Sequence, residues 1–264
     1  MTKSDEKKYL LTAKQMAQFV VDGFLFFDDL IPEELNKVVL QEEKELKDSG
    51  YDFWYKSQAI RSVFELPEIK GILQSLMGNA IYDHSYLHVV EGRDMKGRGH
   101  EWHYDSTYDV RPYAFDIQVF YFAHDAPAEM GPTLVLPGSH LRRINSRTIA
   151  RYKNIVGQRQ LAGKAGTICF VHHGLWHCSQ PNYTDQSRFM FKVRFRPDQK
   201  QSRLFNIEGY DSQEVKDIFL NGSQAWLGDE RKHEIVRRAK LWRYLVDDDL
   251  VDVTPESALQ RMSI

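Results

Sequence analysis

A chain of 264 residues, 42% hydrophobic and 27% charged, can bury one substantial core, and no Pro/Gly/Ser-rich or charge-block linker divides it. A net charge of −2 without a basic stripe argues against nucleic acid or an anionic membrane as partner. Two cysteines, Cys169 and Cys178, make no disulfide framework, Met1 to Lys8 lacks the apolar core of a signal peptide, and no apolar run has membrane-span length; a cytoplasmic location is expected.

Thr12 is placed to cap a helix that carries Met16, Phe19 and Val20 at helical spacing and stops at Gly23. Phe24–Phe27 reads as a short strand. Pro32 opens a second helix to about Lys47, in which the mixed charges Glu42-Glu43-Lys44-Glu45 predict a solvated face. A third helix starts at Leu66-Pro67 and carries Ile72, Leu73 and Leu76 to Gly78. From Ala80 the texture changes to short apolar and aromatic runs: Tyr82–Val90, Trp102–Asp105, Phe115–Ala123, Leu134–Leu136, Thr167–Val171 and Phe189–Phe195. Gly131-Pro132 and Pro137-Gly138 punctuate them, a pattern that suggests a sandwich or barrel. After Pro197 helices return at Val215–Leu220 and Glu230–Val246. The expectation is one domain over residues 1–264: a helical part at 1–79, a β core at 80–197 and a helical extension at 198–264.

The candidate chemistry lies in the β core. On a strand, His103 and Asp105 of His103-Tyr104-Asp105 would share a face, and a histidine from a distant strand would complete a facial triad of two imidazoles and a carboxylate. Such a set leaves three positions of an octahedron open and suits iron(II). His172, His173 and His177 are the candidates for the distal ligand. Arg188, on the hydrophobic strand Phe189-Met190-Phe191, would be costly unless a carboxylate meets its planar fork, and a dicarboxylate cosubstrate meets that need.

These features together resemble the phytanoyl-CoA dioxygenase family of iron(II)/2-oxoglutarate oxygenases, over roughly Leu11 to Arg196. The resemblance is carried by Leu11-Thr12 through Gly23-Phe24-Leu25, His103-Tyr104-Asp105, the run Gly131-Pro132-Thr133-Leu134-Val135-Leu136-Pro137-Gly138-Ser139-His140, and His177, Ser179, Asn182 and Arg188. It implies a mainly β fold with flanking helices, a double-stranded β-helix (jelly-roll, cupin-like) with iron at its mouth. It also implies that His103, Asp105 and His177 are the catalytic metal ligands and that Arg188, helped by Ser179, holds the distal carboxylate of 2-oxoglutarate. Tyr121 falls where relatives often have tryptophan beside the cosubstrate, and Lys56 is a candidate for a further polar contact. The implied cofactors are Fe(II), 2-oxoglutarate and O2; the implied reaction couples decarboxylation to succinate with oxidation of a C–H bond in a small-molecule substrate. Asp105, which halogenating relatives replace with a small residue, favours hydroxylation.

Other readings weigh less. His100-Glu101-Trp102-His103 has histidines three apart, not the four that a helical zinc site requires. His140 is expected to stabilise its turn, His84 and His88 to pack in core or rim, Cys178 to be a small buried residue, and Asn182 to fix the turn before Arg188. Trp226, Trp242 and Tyr244 read as helix packing, and Arg142-Arg143 as surface charge. Loops at Arg93–Gly99 and Arg142–Gly163 would form the mouth. A cupin-like enzyme without 2-oxoglutarate and a non-catalytic metal-binding module are the alternatives; neither is served as well by Arg188 and an intact triad.

Overall fold

The computed structural model describes residues 8–46, 53–93, 101–105, 113–142, 152–221 and 229–254. The first helix, α1 (Ala13–Asp22), begins where Thr12 accepts from the Gln15 N–H at 3.3 Å while Gln15 Oε1 accepts from the Thr12 N–H at 2.9 Å, a reciprocal cap. It ends at Gly23, whose φ is +82° and on which a Cβ would come within 2.4 Å of His140 Nδ1; both the turn and the close approach need glycine. That tight stop aims β1 (Phe24–Phe27) straight into the sheet.

Helices α2 (Glu33–Leu46), α3 (Phe53–Lys56), α4 (Gln58–Glu65) and α5 (Pro67–Met77) follow. The sequence reading missed α3 and α4, which are short, although α4 carries a helical apolar stripe at Ala59, Ile60, Val63 and Phe64. The strands are β2 (Ala80–Val90), β3 (Ile117–Phe122), β4 (Thr133–Val135), β5 (Arg159–Leu161), β6 (Thr167–His172), β7 (His177–Ser179) and β8 (Arg188–Pro197); α6 (Gln213–Asn221) and α7 (Asp229–Val246) close the chain. Two antiparallel sheets result, ordered β1-β6-β3-β8-β2 and β5-β4-β7. Because β1 pairs with β6 in register Phe24 to Val171, the helical N-terminal part contributes a strand to the β core. The expected strand at Trp102–Asp105 is instead a single bridge, His103 to His177.

The larger sheet is buried on both faces. On its outer face Phe191, Val193, Phe195, Val119 and Tyr121 pack against Phe19, Phe53, Ile60 and Ile72 of the helices. On its inner face Phe120, Phe122, Cys169, Val171 and Met190 meet Val135 and Leu161 of the smaller sheet. Alternation along β8 therefore sends Arg188, Met190, Lys192 and Arg194 inward.

The C-terminal helix has a structural task. Trp242 packs between Phe205 and Phe219, as the aromatic cluster predicted for its described members. Glu234 and Arg238 form a buried ion pair, and a Cβ on Gly138 would lie 2.3 Å from Glu234 Oε1. So α7 presses on the turn at Ser139–Leu141, and Ser139 Oγ accepts from the Trp176 N–H at 2.9 Å, next to the first residue of β7. Among the described residues no helix is long and apolar enough to cross a membrane.

One expectation fails within α2. Glu43 is 1% exposed rather than solvated, neither carboxyl oxygen has a hydrogen-bond partner, and burial pushes its pKa up to about 8 against the weaker pull of Lys44. The folded state thus keeps a proton that the unfolded chain loses near its ordinary value of 4.5, and stability falls as pH rises from there towards 8. Glu43→Gln should remove this slope. In denaturation, the variant is expected to gain up to roughly 3 kcal/mol over wild type near pH 7, a gap that closes by about pH 4.5; parallel stability–pH curves would refute a neutral buried carboxyl.

Candidate metal centre

The site is built on one backbone pairing. After β6 the chain turns within four residues, with the Leu175 N–H donating to His172 O at 2.8 Å, and β7 starts at His177. The His103 N–H donates to His177 O at 3.0 Å and the His177 N–H to His103 O at 2.8 Å. Trp102 is buried with Leu134, Leu136, Trp176 and Cys178, and the Tyr104 ring meets Trp176 edge-on at 5.0 Å. With 102 and 104 held outward, His103 and Asp105 turn inward, so the strand-like alternation survives without a strand.

The three side chains converge. His103 Nε2 lies 3.6 Å from Asp105 Oδ1, His177 Nε2 lies 3.3 Å from Asp105 Oδ2, and one ligand atom of each falls within 4.8 Å of the others. Both imidazoles are fixed through Nδ1, at 2.7 Å from Glu101 O and 3.0 Å from Leu175 O. A proton on Nδ1 donates to the carbonyl and leaves Nε2 as a bare lone pair facing Asp105. Burial, then the Lys192 charge, holds His177 below the ordinary histidine range, so this lone pair stays available. Burial works to raise Asp105, but the polar groups that meet it, the Lys192 ammonium among them, outweigh it and keep the carboxyl well below the usual range. Two imidazole nitrogens and one carboxylate, all approached from one side, suit a first-row divalent metal such as iron(II).

Arg188 lies deeper in the same barrel and is 0% exposed. It opens β8 opposite Val90; Asn182 holds this corner, its side-chain NH2 donating to Val90 O and Gln186 O at 3.3 and 2.7 Å. The guanidinium donates to Thr133 Oγ1 at 3.3 Å, stands 3.3 Å from His88 Nδ1 and lies over the Phe122 ring. No carboxylate among the described residues pairs with it, Nε has no partner, and burial pushes its pKa down to about 10. Ser179 faces Thr133 across β4 and β7, on the same side as His177. The barrel thus holds a desolvated fork that lacks its anion.

The structure departs from the sequence reading at several residues. Tyr121 does not reach the site: it faces the helices, stacks on Phe191 and donates to Asn36 Oδ1 at 2.6 Å, because β3 sends Phe120 and Phe122 inward instead. Lys56 is exposed at the end of α3, off the barrel strands. His172 points to the opposite face, where its Nδ1 accepts from the Gly174 N–H at 2.9 Å and its ring lies against His140 and His173. Cys178 alternates outward from His177, and burial pushes its thiol up to about 12. His88 packs beside Arg188, with its Nδ1 3.3 Å from the guanidinium. Arg142 lies in the field of Glu234 rather than on open surface, and Arg143 is outside the described residues, as are 94–100 and 143–151 of the two expected mouth loops.

The residue that sequence reasoning overlooked is Lys192. It is 5% exposed; its ammonium contacts Asp105 Oδ2 and lies 3.4 Å from His177 Nε2. Its even spacing from Arg188 on one strand was the available signal.

The phytanoyl-CoA dioxygenase family model matches residues 10–190. The chain belongs to that family. It is an iron(II)/2-oxoglutarate-dependent oxygenase, with 2-oxoglutarate and O2 as its cosubstrates. Among curated protein sequences none matches. Solved structures share the jelly-roll fold. The non-haem monooxygenase ThoJ in its apo form is 22% identical with a TM-score of 0.58, covering 68% of this chain and 76% of its own. The non-haem alpha-ketoglutarate-dependent carbocyclase SnoK from nogalamycin biosynthesis is 19% identical with a TM-score of 0.57, covering 71% and 87%. HygX from Streptomyces hygroscopicus, with nickel and 2-oxoglutarate bound, is 15% identical with a TM-score of 0.57, again covering 71% and 87%.

Replacing one of three ligands removes a donor that the remaining two cannot supply. Asp105→Ala and His177→Ala in this oxygenase should each weaken cobalt(II) binding, followed by its visible absorption, by about a hundredfold or more. An unchanged titration in either variant would dissociate that residue from the metal.

Proposed function

We propose that this oxygenase hydroxylates a C–H bond of a small-molecule metabolite, within one catalytic domain over residues 1–264, using His103, Asp105 and His177 to hold iron and Arg188 to hold the distal carboxylate of 2-oxoglutarate. The observation that carries the proposal is Arg188: a fully buried guanidinium, without a carboxylate among the described residues, in the barrel that also holds the triad. A bound diacid would supply the missing charge and accept from the fork in two parallel hydrogen bonds.

Iron(II) held by His103, Asp105 and His177 would supply activation of O2, the oxidant, whose four electrons come two from 2-oxoglutarate, as it is decarboxylated to succinate and carbon dioxide, and two from the substrate C–H bond that becomes hydroxylated. The protein's part is positional. The carbonyls of Glu101 and Leu175 fix the ligand rings, and the Arg194 guanidinium donates to Asp105 O at 3.2 Å, so the carboxylate ligand is restrained at its backbone. Thr133 and His88 orient the Arg188 fork, with Ser179 beside them. Phe120, Phe122 and Val171 line the inner wall and keep water from it. Retention of a carboxylate at 105 supports hydroxylation over halogenation. A buried Arg188 that meets no carboxylate among the described residues is hard to reconcile with a cupin-like enzyme that has no diacid to bind.

Anaerobically iron-loaded protein, screened against metabolites with succinate formation as readout, should reveal substrates that raise turnover above the uncoupled rate. Asp105→Ala should abolish succinate formation. In Arg188→Met the Michaelis constant for 2-oxoglutarate is expected to rise by about tenfold or more, with a smaller effect on turnover at saturation. If that constant does not move, another group holds the distal carboxylate.

A further inference from the structure

Lys192 raises a question that the oxygenase reaction leaves open. Three buried or half-buried cations, Arg188, Lys192 and Arg194, stand on the inner face of β8, with the exposed Arg196 following at its end. Arg194 is met by Asp116, at 2.7 Å from its NH2, with Asp83 at 3.5 Å from Nε. Arg188 awaits the distal carboxylate of 2-oxoglutarate. Lys192 leans on Asp105, and no other carboxylate among the described residues acts on it.

Loading the site changes this balance. The ammonium touches Asp105 Oδ2 and lies within 3.4 Å of His177 Nε2, so it stands where a metal sharing those two atoms must go. Two cations cannot share the position, and the ammonium must withdraw. The walls available to it are the rings of Phe120 and Tyr86, which oppose Lys192 on β3 and β2 and lie with centroids 5.1 and 5.3 Å from Nζ. Ring faces attract a cation, but less strongly than the counter-ion that a buried ammonium loses. A dication is answered by Asp105 and the chelating carboxylate of 2-oxoglutarate, and Arg188 takes the other carboxylate. One positive charge beside the metal is left over.

Resting on the reading above of the triad and Arg188, we infer that the substrate this oxygenase oxidises carries an anionic oxygen group, a carboxylate or phosphate, and that Lys192 binds it beside the metal. The lysine is thereby a specificity residue: it selects acids and fixes their approach, with Tyr86 and Phe120 flanking the bound group. A neutral substrate would leave the ammonium buried and unpaired, which disfavours its binding.

The same carboxylate chemistry could come from the cosubstrate, so the test separates the two sources. The visible charge-transfer band of the anaerobic iron(II)·2-oxoglutarate complex is followed at saturating 2-oxoglutarate. Formate, acetate and benzoate are titrated in turn, each against its neutral amide. At least one acid is expected to perturb the band with an affinity about tenfold or more above its amide. That preference should collapse in Lys192→Met and persist in Lys192→Arg. Acids and amides that act alike, or that all leave the band unmoved, overturn the inference. A preference that survives Lys192→Met belongs to the metal itself and also overturns it. A tenfold loss of 2-oxoglutarate affinity in Lys192→Met, with the acid preference intact, assigns the ammonium to the cosubstrate instead. Absence of the band in wild type would sink the triad and Arg188 reading first, and this inference with it.

Discussion

The paired hydrogen bonds between the backbones of His103 and His177 are the constraint on which the site depends. They join the segment at His103 to the start of β7, and so bring together two candidate ligands 74 positions apart in the chain. The surrounding structure serves this bridge. Trp102 and Trp176 bury the outer sides of both segments, Ser139 takes the N–H of Trp176, and α7 presses on the turn that presents Ser139. A helix that is remote in sequence is in this way coupled through packing to the position of a metal ligand.

How much of this could be read from the sequence depended on whether a residue carries its own chemistry. His103, Asp105, His177 and Arg188 are costly to place in a hydrophobic setting, so their types and spacing reveal them. Asn182 was legible for the related reason that an amide in a tight turn has few uses. Parity was not legible. Whether Tyr121 or its neighbours Phe120 and Phe122 face the barrel depends on the register of β3 against β6 and β8, and a run such as Ile117-Gln118-Val119-Phe120-Tyr121-Phe122 looks the same from either side. The register turns Tyr121 towards Asn36 and the helices. Glu43 failed likewise: charge marks a solvated face only if that face is free, and here Glu43 is buried, near enough to Tyr121 to act on its hydroxyl.

Both faces of the larger sheet are buried, which explains this mixture of clear and unclear signals. A half-exposed sheet alternates polar with apolar, and its pattern gives away its faces. Here helices cover one side and the smaller sheet the other, so apolar residues occupy both and alternation is hidden. Against that background a polar residue on a core strand is conspicuous, because burial must be compensated locally.

The inward cations of β8 follow from the same argument. Arg188, Lys192 and Arg194 occupy one face of a strand whose other face is Phe191, Val193 and Phe195. Packing alone has no need of positive charges at these buried positions, and each one imposes a desolvation cost that only an anion offsets. Arg194 has its anion within the fold, Arg188 meets none among the described residues, and Lys192 contacts the carboxylate that a metal would claim. On the proposed reading, the order of these three along the strand runs from structural support at one end, past the candidate metal centre, to the proposed seat of a diacid at the other.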